Sequence, residues 1–134
     1  MCGIIGIASN KSVASNIINS LKKLEYRGYD SAGVATISNK LIIEKKCSGR
    51  VEQLEKILFN SPAKGNIGIG HVRWATHGIP NKINAHPHSS EIVSVVHNGI
   101  IENSYKLKKD LESEGFKFKS QTDTEVITVL ITKY

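Results

Sequence analysis

At 134 residues, 40% of them apolar, the chain is long enough for the core of one ordinary domain and does not have the composition of a membrane protein or a disordered one. Its net charge of +6 comes almost entirely from lysines set among acidic residues (Lys22, Lys23, Lys45, Lys46, Lys106, Lys108, Lys109). The arginine and aromatic interleaving of a nucleic-acid surface is missing, so these lysines read as a solvated face. No apolar run reaches membrane-spanning length, and the one near the start, Ile4 to Ala8, is too short for a signal-peptide core. The expectation is a cytoplasmic chain with no membrane partner and no nucleic-acid partner, whose Cys2 and Cys47 remain thiols and are too far apart for a metal or redox motif.

Met1-Cys2-Gly3-Ile4-Ile5-Gly6 sets a thiol directly behind the initiator methionine. Small Cys2 and flexible Gly3 suit removal of Met1, which would make Cys2 the N-terminus. One residue would then carry a nucleophile and, in its α-amine, a base; free thiols as a class titrate near ~8.5 and free α-amines near ~7.7 to 8.0. The structural alternative is that Cys2 is the first buried residue of an apolar strand. Cys2 to Ser9 reads as that strand. From Ser12, the spacing of Val13, Ile17, Leu21 and Leu24 predicts an amphipathic helix ending near Tyr26. Arg27 to Ser31 is turn-like, Ala32 to Ser38 a strand, Asn39-Lys40 a turn, and Leu41 to Lys46 the second arm of a hairpin. Val51, Leu54, Ile57 and Leu58 predict a helix stopped by Asn60-Ser61-Pro62.

Ile67 to Trp74 is a third strand, followed by a long loop from Ala75 to Ser90, a length that in a compact domain is usually functional or disordered. Ile92 to Val96 is a strand, His97-Asn98-Gly99 a tight turn, and Ile100-Ile101 extended. Asn103 or Ser104 caps a helix ending before Gly115. Phe116 to Lys119 is a short strand, and a last helix starts at Thr122 to Glu125. Irregular alternation with adjacent hairpins favours α+β layers with an antiparallel sheet. The chain stops inside a helical pattern without a cap, so a fragment is expected.

Three polar groups gather at strand ends and in loops. Arg73-Trp74-Ala75-Thr76-His77-Gly78 offers a guanidinium able to grip a carboxylate bidentately, or to form a surface salt bridge. Asn98-Gly99 offers a side-chain amide beside a backbone N–H, which suits an oxyanion hole or an ordinary hairpin turn. Asp123 near a helix start could hold an amine or act only as a cap. His86-Pro87-His88 brings two imidazoles together with no third ligand at a diagnostic spacing, so no metal is expected. Together, an N-terminal thiol, an oxyanion pair, a carboxylate-binding arginine and an amine-binding aspartate make a site for an amide bearing an amino-acid head group.

The stretches Met1 to Gly6, Leu24-Glu25-Tyr26-Arg27-Gly28-Tyr29-Asp30-Ser31-Ala32-Gly33, His71 to Gly78, Asn84 to His88 and Val96 to Asn103 carry a resemblance over essentially the whole chain. They resemble the glutaminase domain of the glutamine:fructose-6-phosphate aminotransferases (isomerising; glucosamine-6-phosphate synthases). More broadly they are similar to the class II, N-terminal-nucleophile glutamine amidotransferases.

The resemblance implies an N-terminal-nucleophile hydrolase αββα sandwich, of which residues 1–134 would be the N-terminal part, with the sugar-isomerase domains lying outside the chain. It implies that Cys2 attacks the side-chain amide of glutamine with its own amine moving the proton, so that ammonia leaves, a γ-glutamyl thioester forms and water releases glutamate. Asn98 and Gly99 would form the oxyanion hole and Arg27 would order the nucleophile's surroundings. Arg73 would bind the glutamine carboxylate and Asp123 its α-amine, with Trp74, Thr76 and His77 lining the pocket. No cofactor or metal is implied. The full-length enzyme would use the ammonia to make glucosamine 6-phosphate from fructose 6-phosphate, as a homo-oligomer. Two alternatives remain: the glutaminase domain of another class II enzyme of the phosphoribosyl amidotransferase kind, or a truncated, non-catalytic glutamine-binding remnant.

Overall fold

The computed structural model describes all 134 residues. A four-stranded antiparallel sheet is built from β1 (Gly3–Ala8), β2 (Ser31–Ser38), β3 (Leu41–Ser48) and β4 (Ile67–Arg73), in the order β1-β4-β2-β3. β2 and β3 form the expected hairpin, with Ser38 paired to Leu41 and both turn residues, Asn39 and Lys40, at positive φ (50° and 63°). That is the two-residue turn whose twist matches the strands it joins.

Helices α1 (Ala14–Leu24) and α2 (Val51–Asn60) cover one face. The stripe read from the sequence is what they bury: Val13, Ile17, Leu21, Val51 and Leu54 are all fully inaccessible and join Val34 and Val72 of the sheet. Each such side chain contributes about 1.5 to 3 kcal/mol of apolar burial. α1 lies close to β4 because Gly68 and Gly70 have no side chain there. A Cβ at Gly70 would sit 2.5 Å from Cγ2 of Ile17.

The opposite face of the sheet carries His71, Arg73, Gly33 and Lys46. Against it lies a second antiparallel pair, β5 (His88–Ser89) and β6 (Ser94–Val95), backed by α4 (Glu125–Lys133), which packs in turn on α3 (Ser104–Ser113). The layer order is therefore helix, sheet, sheet, helix, with the second sheet represented by two short strands. α3 closes with Gly115 at φ 95° and the Phe116 N–H on the Leu111 carbonyl at 3.1 Å, a glycine-terminated helix end.

Several sequence expectations change. The first helix starts at Ala14 with Val13 before it and no side-chain cap, not at Ser12. The strand expected over Ile92 to Val96 shrinks to Ser94–Val95 because the Ser90 hydroxyl takes the Ile92 and Val93 N–H groups into a local turn. Phe116 to Lys119 is not a strand: the Lys119 and Ser120 N–H groups donate to the Glu125 carboxylate at 2.8 and 2.7 Å, so a side chain takes donors that a ladder would need. His97-Asn98-Gly99 does not fold back as a hairpin. It leaves β6 toward the β1–β4 end, where its polar groups find other partners.

Candidate active site

β1 and β4 run antiparallel with Gly3 opposite Val72, which brings the start of the chain to the C-terminal end of β4. There the Trp74 N–H donates to the Cys2 sulfur at 3.1 Å. The Arg27–Asp30 turn wraps the same strand end. The Asp30 N–H donates to the Arg73 carbonyl at 3.1 Å, and the Asp30 carboxylate accepts the Ala75 N–H at 2.9 Å. Gly28 permits this approach, since a Cβ there would stand 2.6 Å from the Arg73 carbonyl carbon. Arg27 Nε donates to the Cys2 carbonyl at 3.2 Å and so pins the Cys2 backbone from the other side.

Asn98 arrives from the loop after β6. Its Nδ2 donates to the Cys2 carbonyl at 3.1 Å, and His71 Nε2 lies 3.0 Å from its Oδ1. The N–H of Gly99 donates to no group of the chain, so it is free for a ligand, and Gly99 takes φ 151°. Asp123 is buried, and its Oδ2 accepts the Ile101 N–H at 2.7 Å, tying the chain after Gly99 to the start of α4.

Cys2, Arg27, Arg73, Trp74, Thr76, His77, Asn98, Gly99 and Asp123 all line one cavity of about 340 Å³, at the lower end of the range for small-molecule sites. Every site residue expected from the sequence is thus brought together. Met1 also lines it and is 76% exposed.

Arg73 is neither on the surface nor in a salt bridge. It is 3% exposed, and its guanidinium donates to the carbonyls of His77, Gly78 and Ile79. Burial lowers its pKa, against the pull of Cys2, Asp30 and Asp123. The guanidinium therefore folds the loop after β4 around itself. Asn84 and Gln121 hold that loop from outside: the Asn84 amide donates to the Ile79 carbonyl at 2.9 Å and to Gln121 at 3.0 Å.

His86 and His88 do not face a shared point. His86 stacks on His71 with centroids 4.2 Å apart and planes 14° apart, and meets His88 edge-on. Asp30, His71, Asn84 and Gln121 have supporting contacts here that no sequence motif signals. Asp30, His71 and Asn84 lie inside the motif stretches, but nothing in spacing says that a residue will support a neighbour. Asn84 and Gln121 become partners only through the tertiary fold.

A cysteine directly ahead of β1, at the end of one sheet of a layered αββα arrangement, is the layout of the N-terminal-nucleophile amidotransferase fold. Two solved structures share it over the whole chain: a glutamine phosphoribosylpyrophosphate amidotransferase from B. subtilis complexed with ADP and GMP (TM-score 0.84, 28% identity), and an allosteric regulatory enzyme of purine biosynthesis (TM-score 0.83, 30% identity). The chain covers 30% of each. Residues 57–134 match the glutamine amidotransferase domain, and the chain belongs to that family. It is 54% identical over 134 residues to a glutamine–fructose-6-phosphate aminotransferase (isomerizing) of Agrobacterium fabrum, and 56% identical over 133 residues to that of Clostridium acetobutylicum. All of this chain in the first case and 98% in the second is aligned, and it spans 22% of the length of either relative. No helix is long and apolar enough to cross a membrane.

Proposed function

We propose that the chain is the N-terminal part of a glutaminase domain that frees ammonia from glutamine through a thioester on Cys2. The observation that carries this reading is the meeting on one cavity of Cys2, Asn98 and Gly99, whose N–H has no partner in the chain. Once Met1 is removed, the Cys2 thiol gives its proton to its own α-amine and attacks the amide carbon of glutamine. The oxyanion that forms meets the Gly99 N–H and the second hydrogen of Asn98 Nδ2, the first being held by the Cys2 carbonyl. Collapse breaks the C–N bond, the amine's proton goes to the leaving nitrogen, and ammonia departs. Water then cleaves the thioester to glutamate and restores the thiol. Asp123 receives the α-amine of glutamine, Arg73 its carboxylate, and Trp74, Thr76 and His77 close the pocket. Arg27 holds the Cys2 carbonyl.

The ammonia serves, in the complete protein, to make glucosamine 6-phosphate from fructose 6-phosphate. Identity of 54% to a fructose-6-phosphate enzyme, against 28% to a phosphoribosylpyrophosphate enzyme, favours this acceptor.

The test is direct. In active protein expressed from its complete reading frame, intact mass should lack Met1, and an electrophilic glutamine analogue should label Cys2 and spare buried Cys47. Cys2→Ser should abolish glutamate release, because an alkoxide is far harder to form with an amine of pKa near ~8 as base. Fully active protein that retains Met1 would sink the mechanism. Release of glutamate with no glucosamine 6-phosphate formed from fructose 6-phosphate would overturn the acceptor assignment alone.

A further inference from the structure

A primary amide presents either its oxygen or its nitrogen, according to what stands behind it. Two groups stand behind Asn98. The Cys2 carbonyl oxygen can only accept, so the nitrogen of the amide faces it, at 3.1 Å. Oδ1 then faces His71 Nε2 at 3.0 Å, and because Oδ1 also can only accept, Nε2 must carry the hydrogen. The other ring nitrogen of His71 is then a bare lone pair. It is buried without a hydrogen-bond partner, which a lone pair tolerates better than an N–H would. Nor can the ring turn over, because His71 is fully inaccessible and lies flat against His86. His86 in turn accepts the His97 N–H on Nδ1 at 3.4 Å, so the residue before Asn98 is docked on the same stack.

We propose that His71 is a positioning residue for the reaction: as the neutral Nε2–H tautomer, clamped by His86, it holds Asn98 Oδ1 and thereby fixes the amide with its nitrogen toward Cys2 and the cavity. The proposal rests on the reading of Asn98 as an oxyanion donor. His71 touches no substrate. Without its donor the amide gains a second orientation, with oxygen toward the site of negative charge.

His71→Phe keeps a flat ring for His86 and removes the donor, whereas His71→Gln returns an N–H to the place of Nε2. In protein expressed from its complete reading frame, His71→Phe should lower kcat for glutamate release about 10²-fold, with KM for glutamine changed less than about twofold. His71→Gln should recover most of that loss. Added to Asn98→Ala, His71→Phe should cost less than about twofold more, since its effect runs through the amide already removed. A residue that merely supports the fold would lower the Asn98→Ala activity further and would not be rescued by glutamine, and either result overturns the proposal. If folded His71→Phe is nearly normal while Asn98→Ala loses about 10²-fold or more, His71 is excluded and the oxyanion reading stands. Near-normal Asn98→Ala ends both. Should His71→Phe fail to fold, the ¹⁵N spectrum of histidine-labelled wild-type protein decides: a neutral His71 protonated on Nε2 supports the proposal, and one protonated on Nδ1 overturns it.

Discussion

At the scale of single residues, the site depends on what is left out as much as on what is present. Gly33 sits in β2 beneath the His86 carbonyl, and a Cβ there would stand 2.0 Å from that oxygen. The obstacle is backbone of the neighbouring layer, which cannot rotate aside. Gly33→Ala should therefore cost about 3 kcal/mol by overpacking, read as a lower denaturant midpoint at unchanged m-value. An unchanged midpoint would mean that the two layers slide easily. Asn98→Ala removes one preorganised donor and should lower kcat for glutamate release by about 10² to 10³, with a smaller effect on KM. A near-normal kcat would take Asn98 out of the mechanism. Arg73→Lys keeps the charge but puts one ammonium where a planar fork spans three carbonyls. The loop carrying Thr76 and His77 should loosen and KM for glutamine should rise, whereas an unchanged KM would leave Arg73 without a part in binding.

At the scale of elements, α2 shows how a local signal and a distant one combine. Its apolar period and its stop before Pro62 were legible, but its start is not capped by Arg50. The Glu25 carboxylate, brought across from the turn after α1, accepts the Val51 N–H at 2.7 Å. Glu25→Ala should cost about 1 kcal/mol and speed amide exchange at Val51, and an unaltered exchange rate there would show that water serves as well. The same division runs through the chain. The β2–β3 hairpin and the α1 stripe were legible because their partners are near in sequence or set by periodicity. The strand expected at Phe116 to Lys119 was not formed because Glu125 takes its donors, a competition that composition does not reveal. The residues that line the cavity were legible as motif members, and their meeting in one place was expected from chemistry. Their supports were not, because Asn84 meets Gln121 and His71 meets Asn98 only after the layers have packed.

At the scale of the whole molecule, the two layers meet over three imidazoles. His71, His86 and His88 are each no more than 5% exposed. Their partners are an amide, a backbone N–H and the Thr122 hydroxyl, with no carboxylate among them, and the nearby charges, Arg73 and Lys46, are cations. Burial pushes His71 down to about 4 and His88 to about 3, and drives His86 below the ordinary histidine range as well. The unfolded chain titrates these groups near ~6.5, so between that pH and about 4 it binds protons that the folded chain refuses. Their contribution is then fully present above ~6.5 and is lost as pH falls, at up to ~1.4 kcal/mol per pH unit for each imidazole. For three, the accumulated loss is roughly 6 kcal/mol by pH 5, comparable with the whole stability of an ordinary domain, about 5 to 15 kcal/mol. Denaturant midpoints measured from pH 8 down to 5 should hold level and then fall steeply below about 6.5, before most carboxylates titrate. His88→Gln, which can still meet Thr122, should remove about a third of the slope. A level profile down to pH 5 would mean that the stack accepts protons without unfolding.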